Sequence, residues 1–288
     1  MAAGFHLPLM TTKHLAMEKQ RIRVGILFGG KSAEHEISLL SAKNVIDAID
    51  KTRYLPVLIG IDKSGRWVTN DPSKFLLNQS DPKRIALNEA ESKGVALIPQ
   101  SGGKLTDLDS AGLDASVDVV FPILHGPMGE DGTIQGLLKL ANVPFVGASV
   151  LGSAVGMDKD VMKRLLRDGG IPIPKFLAFH RKHPPKFELL AEQLGLPVFV
   201  KPANLGSSVG ISKAWDKDSF EKAVHTAFRY DGKILVEQAI KGREIECAVL
   251  GNEDPKASIP GEIIPSHEFY SYEAKYLDED GARLEIPA

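Results

Sequence analysis

A lysine at the end of an apolar strand, followed directly by a loop of glycine and serine, constrains the fold of this chain most strongly. Residues 198–201 read Val-Phe-Val-Lys, and residues 206–210 read Gly-Ser-Ser-Val-Gly. The glycines permit backbone conformations that other residues rarely adopt, and the serines offer hydroxyl and amide hydrogens to an anion beside the lysine charge. The pattern predicts a phosphate-binding loop.

The residues after this loop indicate which kind of phosphate site it is. Residues 209–213 alternate apolar and polar, which favours a returning strand over the helix that a P-loop requires. We therefore predict a strand-loop-strand flap over phosphates.

A competing pattern occurs at residues 25–32, which fit the Walker A motif G-x-x-x-x-G-K-S/T of P-loop nucleotide hydrolases. Its first glycine lies inside an apolar run, whereas the first glycine of a P-loop follows its strand. A P-loop hydrolase is therefore the weaker alternative.

Length and composition favour a multi-lobed enzyme that acts on small molecules. The chain has 288 residues, of which 43% are hydrophobic and 25% charged, with a formal net charge of -2. This charge gives no reason to expect nucleic acid or an acidic membrane as a partner. Cys247 is the one cysteine, predicted to be a buried core thiol, and no apolar run reaches membrane-spanning length. A cytoplasmic location is expected.

Three units are predicted after a disordered extension at residues 1–20. The first is an α/β domain over residues 21–147, whose apolar runs are typical of a parallel sheet, at residues 22–28, 54–61 and 117–124. Residues 70–116 are predicted to be loop with short strand fragments. Ligands collect beyond the carboxyl ends of such strands, which points to residues 29–36 and to the loop at His125.

The second unit is a compact α+β lobe over residues 148–236, and a third lobe begins at residue 237 and continues to residue 288. Asp158 is predicted to cap a helix on which Val161, Leu165 and Leu166 pack inward. The flap lies within this central lobe.

Five short motifs follow one another along the chain, and together they are far more specific than any one alone. They are Gly-Gly-Lys-Ser-Ala-Glu-His-Glu at 29–36, His-Gly-x-x-Gly-Glu-Asp-Gly at 125–132, Met-Asp-Lys at 157–159, the lysine and Gly/Ser loop at 200–210, and Tyr-Glu-Ala-Lys-Tyr at 272–276. This set resembles the D-alanine:D-alanine ligase family of the ATP-grasp superfamily. The resemblance implies two ATP-grasp α+β lobes after the N-terminal domain, with the C-terminal lobe incomplete.

The resemblance also implies a reaction, namely ATP-dependent joining of two D-alanine molecules for peptidoglycan synthesis. One carboxylate takes the γ-phosphate of ATP to give an acyl phosphate, and the amine of the second D-alanine then displaces phosphate. Mg²⁺ or Mn²⁺ is the implied cofactor, and a homodimer is the implied assembly.

Residue roles toward ATP are carried over from the same motifs. The residues that would contact the phosphates are Lys159, Lys201, Lys275 and the flap residues Ser207, Ser208 and Val209. Those that would contact the adenine are Glu237, Gln238, Ala239 and Ile240. The ribose would be contacted by Glu244. Taken alone, Glu237 and Glu244 would more often be structural acids, and Lys275 a solvated side chain. The family often has lysine where Gln238 stands, although an amide can still hydrogen-bond a purine nitrogen.

Roles toward the amino acids follow in the same way. Glu34 would hold the ammonium of the first D-alanine and would join Ser207 and Tyr276 in one hydrogen-bonded set over the site. His125 would lie near the substrate carboxylates. Tyr276 favours D-alanine over D-lactate as the second substrate. Taken alone, Glu34 would be a common helix N-terminal acid and His125 a turn residue.

No metal ligand is assigned in this sequence. In the family the magnesium ligands follow the tyrosine loop, so they are expected beyond residue 288. A chain that ended there is expected to be inactive, and a non-catalytic nucleotide-binding or dimer-forming fragment is the competing hypothesis.

Overall fold

The computed structural model describes residues 20–69, 71, 73–79, 81, 84–90, 92–108, 115–266 and 281–288. The predicted extension, apart from Gln20, and the predicted site residues Lys275 and Tyr276 lie outside these ranges. The described elements are β1 (Ile22–Gly29), α1 (His35–Ala48), β2 (Tyr54–Ile61), β3 (Trp67–Thr69), β4 (Leu76–Leu77), β5 (Ala86–Leu87), β6 (Lys93–Leu97), β7 (Leu105–Asp107), β8 (Val119–Leu124), α2 (Thr133–Leu140), α3 (Val150–Met157), α4 (Lys159–Asp168), β9 (Phe176–His180), α5 (Phe187–Leu194), β10 (Val198–Pro202), β11 (Ser212–Ala214), α6 (Lys217–Tyr230), β12 (Lys233–Gln238), β13 (Glu244–Glu246), β14 (Val249–Leu250), β15 (Lys256–Ala257), β16 (Gly261–Pro265) and β17 (Ala282–Glu285).

The first sheet has the strand order β7-β6-β3-β2-β1-β8. Strand β1 lies between β2 and β8 and is parallel to both, whereas β3, β6 and β7 add antiparallel strands at one side. The predicted parallel sheet is therefore confirmed for β2, β1 and β8, which form one side of a mixed sheet.

Both faces of this sheet are buried, which explains the unbroken apolar run of β1. Successive side chains point to opposite faces, so Ile26 and Phe28 pack with α1 while Leu27 packs with α2. Gly25 lies inside β1, and β1 continues to Gly29. The register that a Walker A loop needs is absent from this segment.

The second sheet has the order β11-β10-β12-β9, and all its strand pairs are antiparallel. One face carries Val198, Val200 and Val236 against α5 and α6. The predicted strand-loop-strand flap is confirmed, because β10 pairs with β11 across the Gly/Ser loop. The return begins at Ser212 and not at 209, since residues 206–211 form turns.

Helix α4 differs from its prediction in the face that it buries. Asp158 caps it as predicted, accepting hydrogen bonds from the backbone amides of Asp160 and Val161. However, Val161 and Leu165 are 38% and 53% exposed, so the prediction that they pack inward is wrong. The side chain that α4 buries is Lys163.

The last strands form a small sheet, β13-β16-β17, and a separate β14-β15 pair. Most of their side chains are exposed, with Ile263 the buried exception among those described. The prediction that Cys247 is a buried thiol is wrong, because it lies in this exposed part of the structure. No helix within the described ranges is both long and apolar enough to cross a bilayer.

Candidate active site

The carboxyl ends of β1 and β8 place two loops side by side. Gly29 and Gly30 leave β1 with φ angles of 90° and 97°, a region that favours glycine, and Glu34 then stands at the N-cap position of α1. Glu34 is 1% exposed. The tight turn thus places a carboxylate in the interior at the edge of the sheet.

Glu34 is contacted by the flap from the second lobe. Ser207 Oγ donates a hydrogen bond to Glu34 Oε1 across 173 positions of sequence. The other oxygen, Oε2, is buried and has no hydrogen-bond partner among the described residues. A buried carboxylate oxygen is costly when unpaired, so this atom is suited to a cationic or hydrogen-bond-donating ligand.

The loop after β8 closes around the same carboxylate. Gly126 has a φ angle of 71°, and a Cβ at this position would lie 2.7 Å from Glu34 Oε2. Glu130 Oε2 accepts a hydrogen bond from the Gly126 amide at 2.6 Å. His125 lies beside them, with its Nε2 3.2 Å from Ser41 Oγ. The motif at residues 125–132 contains Glu130, but the sequence analysis predicted no role for it.

The flap holds two serines in the left-handed backbone region. The φ angles are 47° at Ser207, 62° at Ser208 and 72° at Gly210. Such angles cost a non-glycine residue about 1 kcal/mol or more and concentrate at functional sites. Val209 closes the first turn with an amide hydrogen bond to the Gly206 carbonyl at 3.1 Å. The flap backbone is therefore held in a conformation that its serines do not intrinsically prefer.

Two of the predicted phosphate-binding lysines lie under the flap. Lys159 starts α4, and its Nζ donates to the Leu205 carbonyl at the base of the loop. Burial, together with repulsion from the nearby Lys201 ammonium, lowers the pKa of Lys159 from 10.5 to about 8. Nearby carboxylates, among them Asp231, act in the opposite direction but do not cancel the shift.

Glu237 lies between two lysines. Its Oε1 accepts a hydrogen bond from Lys201 Nζ at 2.7 Å, and its Oε2 forms an ion pair with Lys163 Nζ at 2.6 Å. Burial opposes ionisation of this carboxyl group, but the two ammonium groups outweigh it and hold the pKa of Glu237 below its usual value. Lys163 was not identified from the sequence, although it stands one helical turn after Lys159, a spacing that places both on one face.

Three of the other predicted nucleotide residues, Ala239, Ile240 and Glu244, line a cleft of about 720 Å³ between the second sheet and the last strands. Its lining residues are Pro197, Phe199, Lys213, Trp215, Ala239, Ile240, Lys241, Gly242, Arg243, Glu244, Glu262, Ile263, Ile264 and Pro265. The Lys213 ammonium lies 4.4 Å from the centre of the Trp215 ring, a cation–π contact. Gln238 and Ala239 donate their amides to the carbonyls of Lys175 and Pro197, which leaves their carbonyl groups as the atoms to consider for base recognition.

The described residues do not form a magnesium site by themselves. Across the described ranges, no group of three or more His, Cys, Asp or Glu side chains is arranged to hold a metal ion. Ca²⁺ and Mg²⁺ bind through several oxygen ligands, so a carboxylate already paired with two lysines, such as Glu237, is a poor candidate.

Comparison with known proteins identifies the family. The model of the D-ala D-ala ligase N-terminus matches residues 23–148, and that of the D-ala D-ala ligase C-terminus matches residues 165–288. A D-alanine--D-alanine ligase of Shouchella clausii is 58% identical over 268 residues, which cover 92% of this chain and 73% of the relative.

Solved structures agree with the sequence relatives. The D-alanine-D-alanine ligase from Coxiella burnetii superposes with a TM-score of 0.75 at 42% identity, covering 85% of this chain and 71% of that one. VanG D-Ala:D-Ser ligase from Enterococcus faecalis gives the same TM-score at 34% identity, covering 93% and 77%. The predicted fold class, an α/β domain followed by ATP-grasp lobes, is thereby confirmed. The chain belongs to the D-ala D-ala ligase family.

Proposed function

We propose that this protein joins two molecules of D-alanine at the expense of ATP, giving D-alanyl-D-alanine for peptidoglycan synthesis, with ADP and phosphate as by-products. The observation that carries the proposal is the contact between Ser207 on the phosphate flap and the buried Glu34 at the sheet edge. It brings the phosphate-binding half and the amino-acid-binding half of one site together. Names of the relatives support the same reaction.

The chemistry divides into two steps whose charges the site must balance. The carboxylate of the first D-alanine attacks the γ-phosphorus of ATP, and ADP leaves with the electrons of the broken bond. The amine of the second D-alanine then attacks the acyl carbon, loses a proton, and expels inorganic phosphate. Both steps bring anions together, so positioned cations and donors lower the barrier. Lys159, Lys201 and the flap amides of Ser207, Ser208 and Val209 are proposed for that role, together with Lys275.

Glu34 is proposed to hold the ammonium of the first D-alanine. Its unpartnered Oε2 is buried beside Gly126, and an ammonium is the complement that a buried carboxylate oxygen needs. His125, on the same loop, is proposed to donate toward the substrate carboxylate. The remaining member of this set is Tyr276, which we propose closes over the site with Ser207.

The second substrate is proposed to be D-alanine. The VanG relative carries D-Ala:D-Ser in its name, so this fold is compatible with more than one acceptor. The choice of D-alanine here rests on Tyr276 in the motif at residues 272–276. Turnover with D-serine or D-lactate at a rate equal to that with D-alanine would contradict it.

The adenine is proposed to lie against Glu237, Gln238, Ala239 and Ile240, and the ribose hydroxyls against Glu244. Residues Ala239, Ile240 and Glu244 line the 720 Å³ cleft, which supports this placement.

Mg²⁺ or Mn²⁺, a general requirement of the family, is the proposed cofactor. We also propose domain boundaries after residues 147 and 236; the six-stranded sheet lies before the first boundary, and the three-stranded sheet lies after the second.

A homodimer formed through the first domain in the cytoplasm completes the proposal. The exposed side chains of Leu137 and Leu140 on α2 offer an apolar surface for it. Light scattering at the mass of a monomer would contradict this assembly.

The test is phosphate release from ATP in the presence of D-alanine. Release should depend on D-alanine. The Glu34→Gln variant should lose at least a hundredfold in kcat/KM for D-alanine, because the side chain at position 34 no longer carries the negative charge that pairs with the substrate ammonium. Glu188→Gln is a matched control, since Glu188 forms an exposed ion pair with Lys217 on the surface of the second lobe. Absence of D-alanine-dependent release from the wild-type protein would overturn the proposed function.

A further inference from the structure

Lys163 is a buried cation in the middle of a helix. It is 9% exposed, and in the fully described helix α4 it is the side chain turned inward. A lysine loses rotamer freedom and hydration when it is buried, and apolar residues fill such positions at lower cost. The two apolar residues nearby, Val161 and Leu165, are instead exposed. Because the charged residue is buried while the apolar residues beside it are exposed, the charge of Lys163 is expected to have a function.

The partner of Lys163 is a carboxylate that also holds a predicted phosphate-binding lysine. Glu237 is 6% exposed and receives Lys163 on Oε2 at 2.6 Å and Lys201 on Oε1 at 2.7 Å. With each oxygen occupied by a different ammonium, the carboxylate cannot rotate without breaking an ion pair. The position of Lys201 Nζ is therefore linked through Glu237 to Lys163.

Strand geometry fixes this chain of contacts on one face of the second sheet. Val200 and Val236 are opposite one another in the β10–β12 pair and enter the core beneath α5 and α6. Their neighbours Lys201 and Glu237 consequently point to the other face. Helix α4 supplies Lys163 on that face, where its Nζ also lies 5.7 Å from the centre of the Phe176 ring.

We propose that Lys163 is a positioning residue for nucleotide binding: it holds Glu237, and through Glu237 it fixes the Lys201 ammonium toward the phosphates of ATP. The inference rests on the proposed function, because it takes ATP as the ligand of Lys201. Lys163 itself contacts neither the nucleotide nor the amino acids. Without it, Glu237 loses the partner of Oε2 and turns toward Lys201, which withdraws that charge from the phosphates.

A merely structural role predicts a different outcome from a positioning role. A structural lysine would change the midpoint of thermal unfolding and leave the affinity of the folded protein for nucleotide unchanged. A positioning lysine changes nucleotide affinity selectively, and its effect depends on the presence of Lys201. Double-mutant cycles separate these cases, because residues that act through one another give non-additive effects.

The experiment titrates the wild-type protein and its variants with the non-hydrolysable analogue AMP-PNP and Mg²⁺, and measures KM for D-alanine separately. We expect Lys163→Met to weaken AMP-PNP binding roughly tenfold and to change KM for D-alanine less than about twofold. In a Lys201→Met background the same substitution should change AMP-PNP binding less than about twofold. Lys217→Met, which breaks an exposed ion pair in the same lobe, is the matched control and should change neither quantity.

Unchanged AMP-PNP binding by folded Lys163→Met, or effects of Lys163→Met and Lys201→Met that simply add, would overturn the inference. If Lys163→Met does not fold, the Lys163→Met/Glu237→Gln double variant replaces it, since it leaves no unpaired carboxylate in the interior. That variant should bind AMP-PNP as weakly as Glu237→Gln alone, and binding at wild-type strength would overturn the inference. Failure of the proposed function is recognised separately, by wild-type protein that releases no phosphate with D-alanine.

Discussion

Nucleotide binding should weaken as the pH rises through 8, because Lys159 loses its proton in that range. Burial and the neighbouring Lys201 ammonium lower the pKa of Lys159 to about 8. A bound triphosphate would supply the negative charge that the free site lacks and would raise the pKa of Lys159 again. Above pH 8, nucleotide binding must therefore be accompanied by proton uptake.

The size of the effect follows from this pKa. About nine-tenths of the Lys159 side chains are charged at pH 7, half at pH 8, and about one-tenth at pH 9. Mg²⁺ bound to the terminal phosphate favours its fully ionised form, so the ligand contributes little titration in this range. If the bound lysine stays charged, the Kd for nucleotide rises roughly tenfold between pH 7 and pH 9, and about half a proton is taken up per nucleotide at pH 8.

Isothermal titration calorimetry of AMP-PNP and Mg²⁺ at pH 8, in two buffers of different ionisation enthalpy, measures the proton uptake directly. Lys159→Arg is the control, because a guanidinium stays charged across this range and should abolish both the uptake and the pH dependence. Wild-type uptake below about 0.1 proton at pH 8, or uptake equal to that of Lys159→Arg, would refute the reasoning.

Three further substitutions test the contacts around the flap and α4. Ser207→Ala removes the hydrogen bond to Glu34 and should raise KM for D-alanine roughly tenfold while lowering the free energy of unfolding by about 1 kcal/mol, and an unchanged KM in steady-state kinetics would contradict the contact. Gly126→Ala would place a Cβ 2.7 Å from Glu34 Oε2 and should abolish D-alanine-dependent turnover, whereas Gly136→Ala, with nothing within 4 Å of its new Cβ, should retain it. Asp158→Ala removes the cap of α4 and should lower the free energy of unfolding by about 1–2 kcal/mol, and an unshifted denaturation midpoint would count against that role.

Strands β1 and β2 were predictable because the sequence of each strand is sufficient to identify it. Strand β1 was expected at residues 22–28 and runs from Ile22 to Gly29, and β2 was expected and found at residues 54–61. Each is buried on both faces, so an uninterrupted apolar run is sufficient to identify it. The return strand of the flap was expected too early, since the alternation at residues 209–211 belongs to turns that are closed by backbone hydrogen bonds.

The orientation of α4 was not predictable from local pattern. Val161 and Leu165 stand four residues apart, the spacing of a buried helical face, yet both are exposed. The buried residue is Lys163, because its partner Glu237 stands 74 positions later and only the folded sheet brings the two together. The spacing of apolar residues in the sequence contains no information about such an ion pair. Similarly, the motifs predict a role for Glu34 but not the absence of a partner for its Oε2 within the described residues.

The charge arrangement explains why the free site is poised for an anion. Lys163 and Lys201 share the single carboxylate of Glu237, which neutralises only one of their two positive charges. Burial lowers the pKa of Lys159, and repulsion from the Lys201 ammonium lowers it further. The flap beside these lysines is tied by the Ser207 hydroxyl to Glu34, the proposed ligand of the amino-acid ammonium. In the proposed complex an anion relieves the repulsion under the flap and an ammonium satisfies Glu34 beneath the same serine, so each substrate would stabilise a part of the structure that the other one needs.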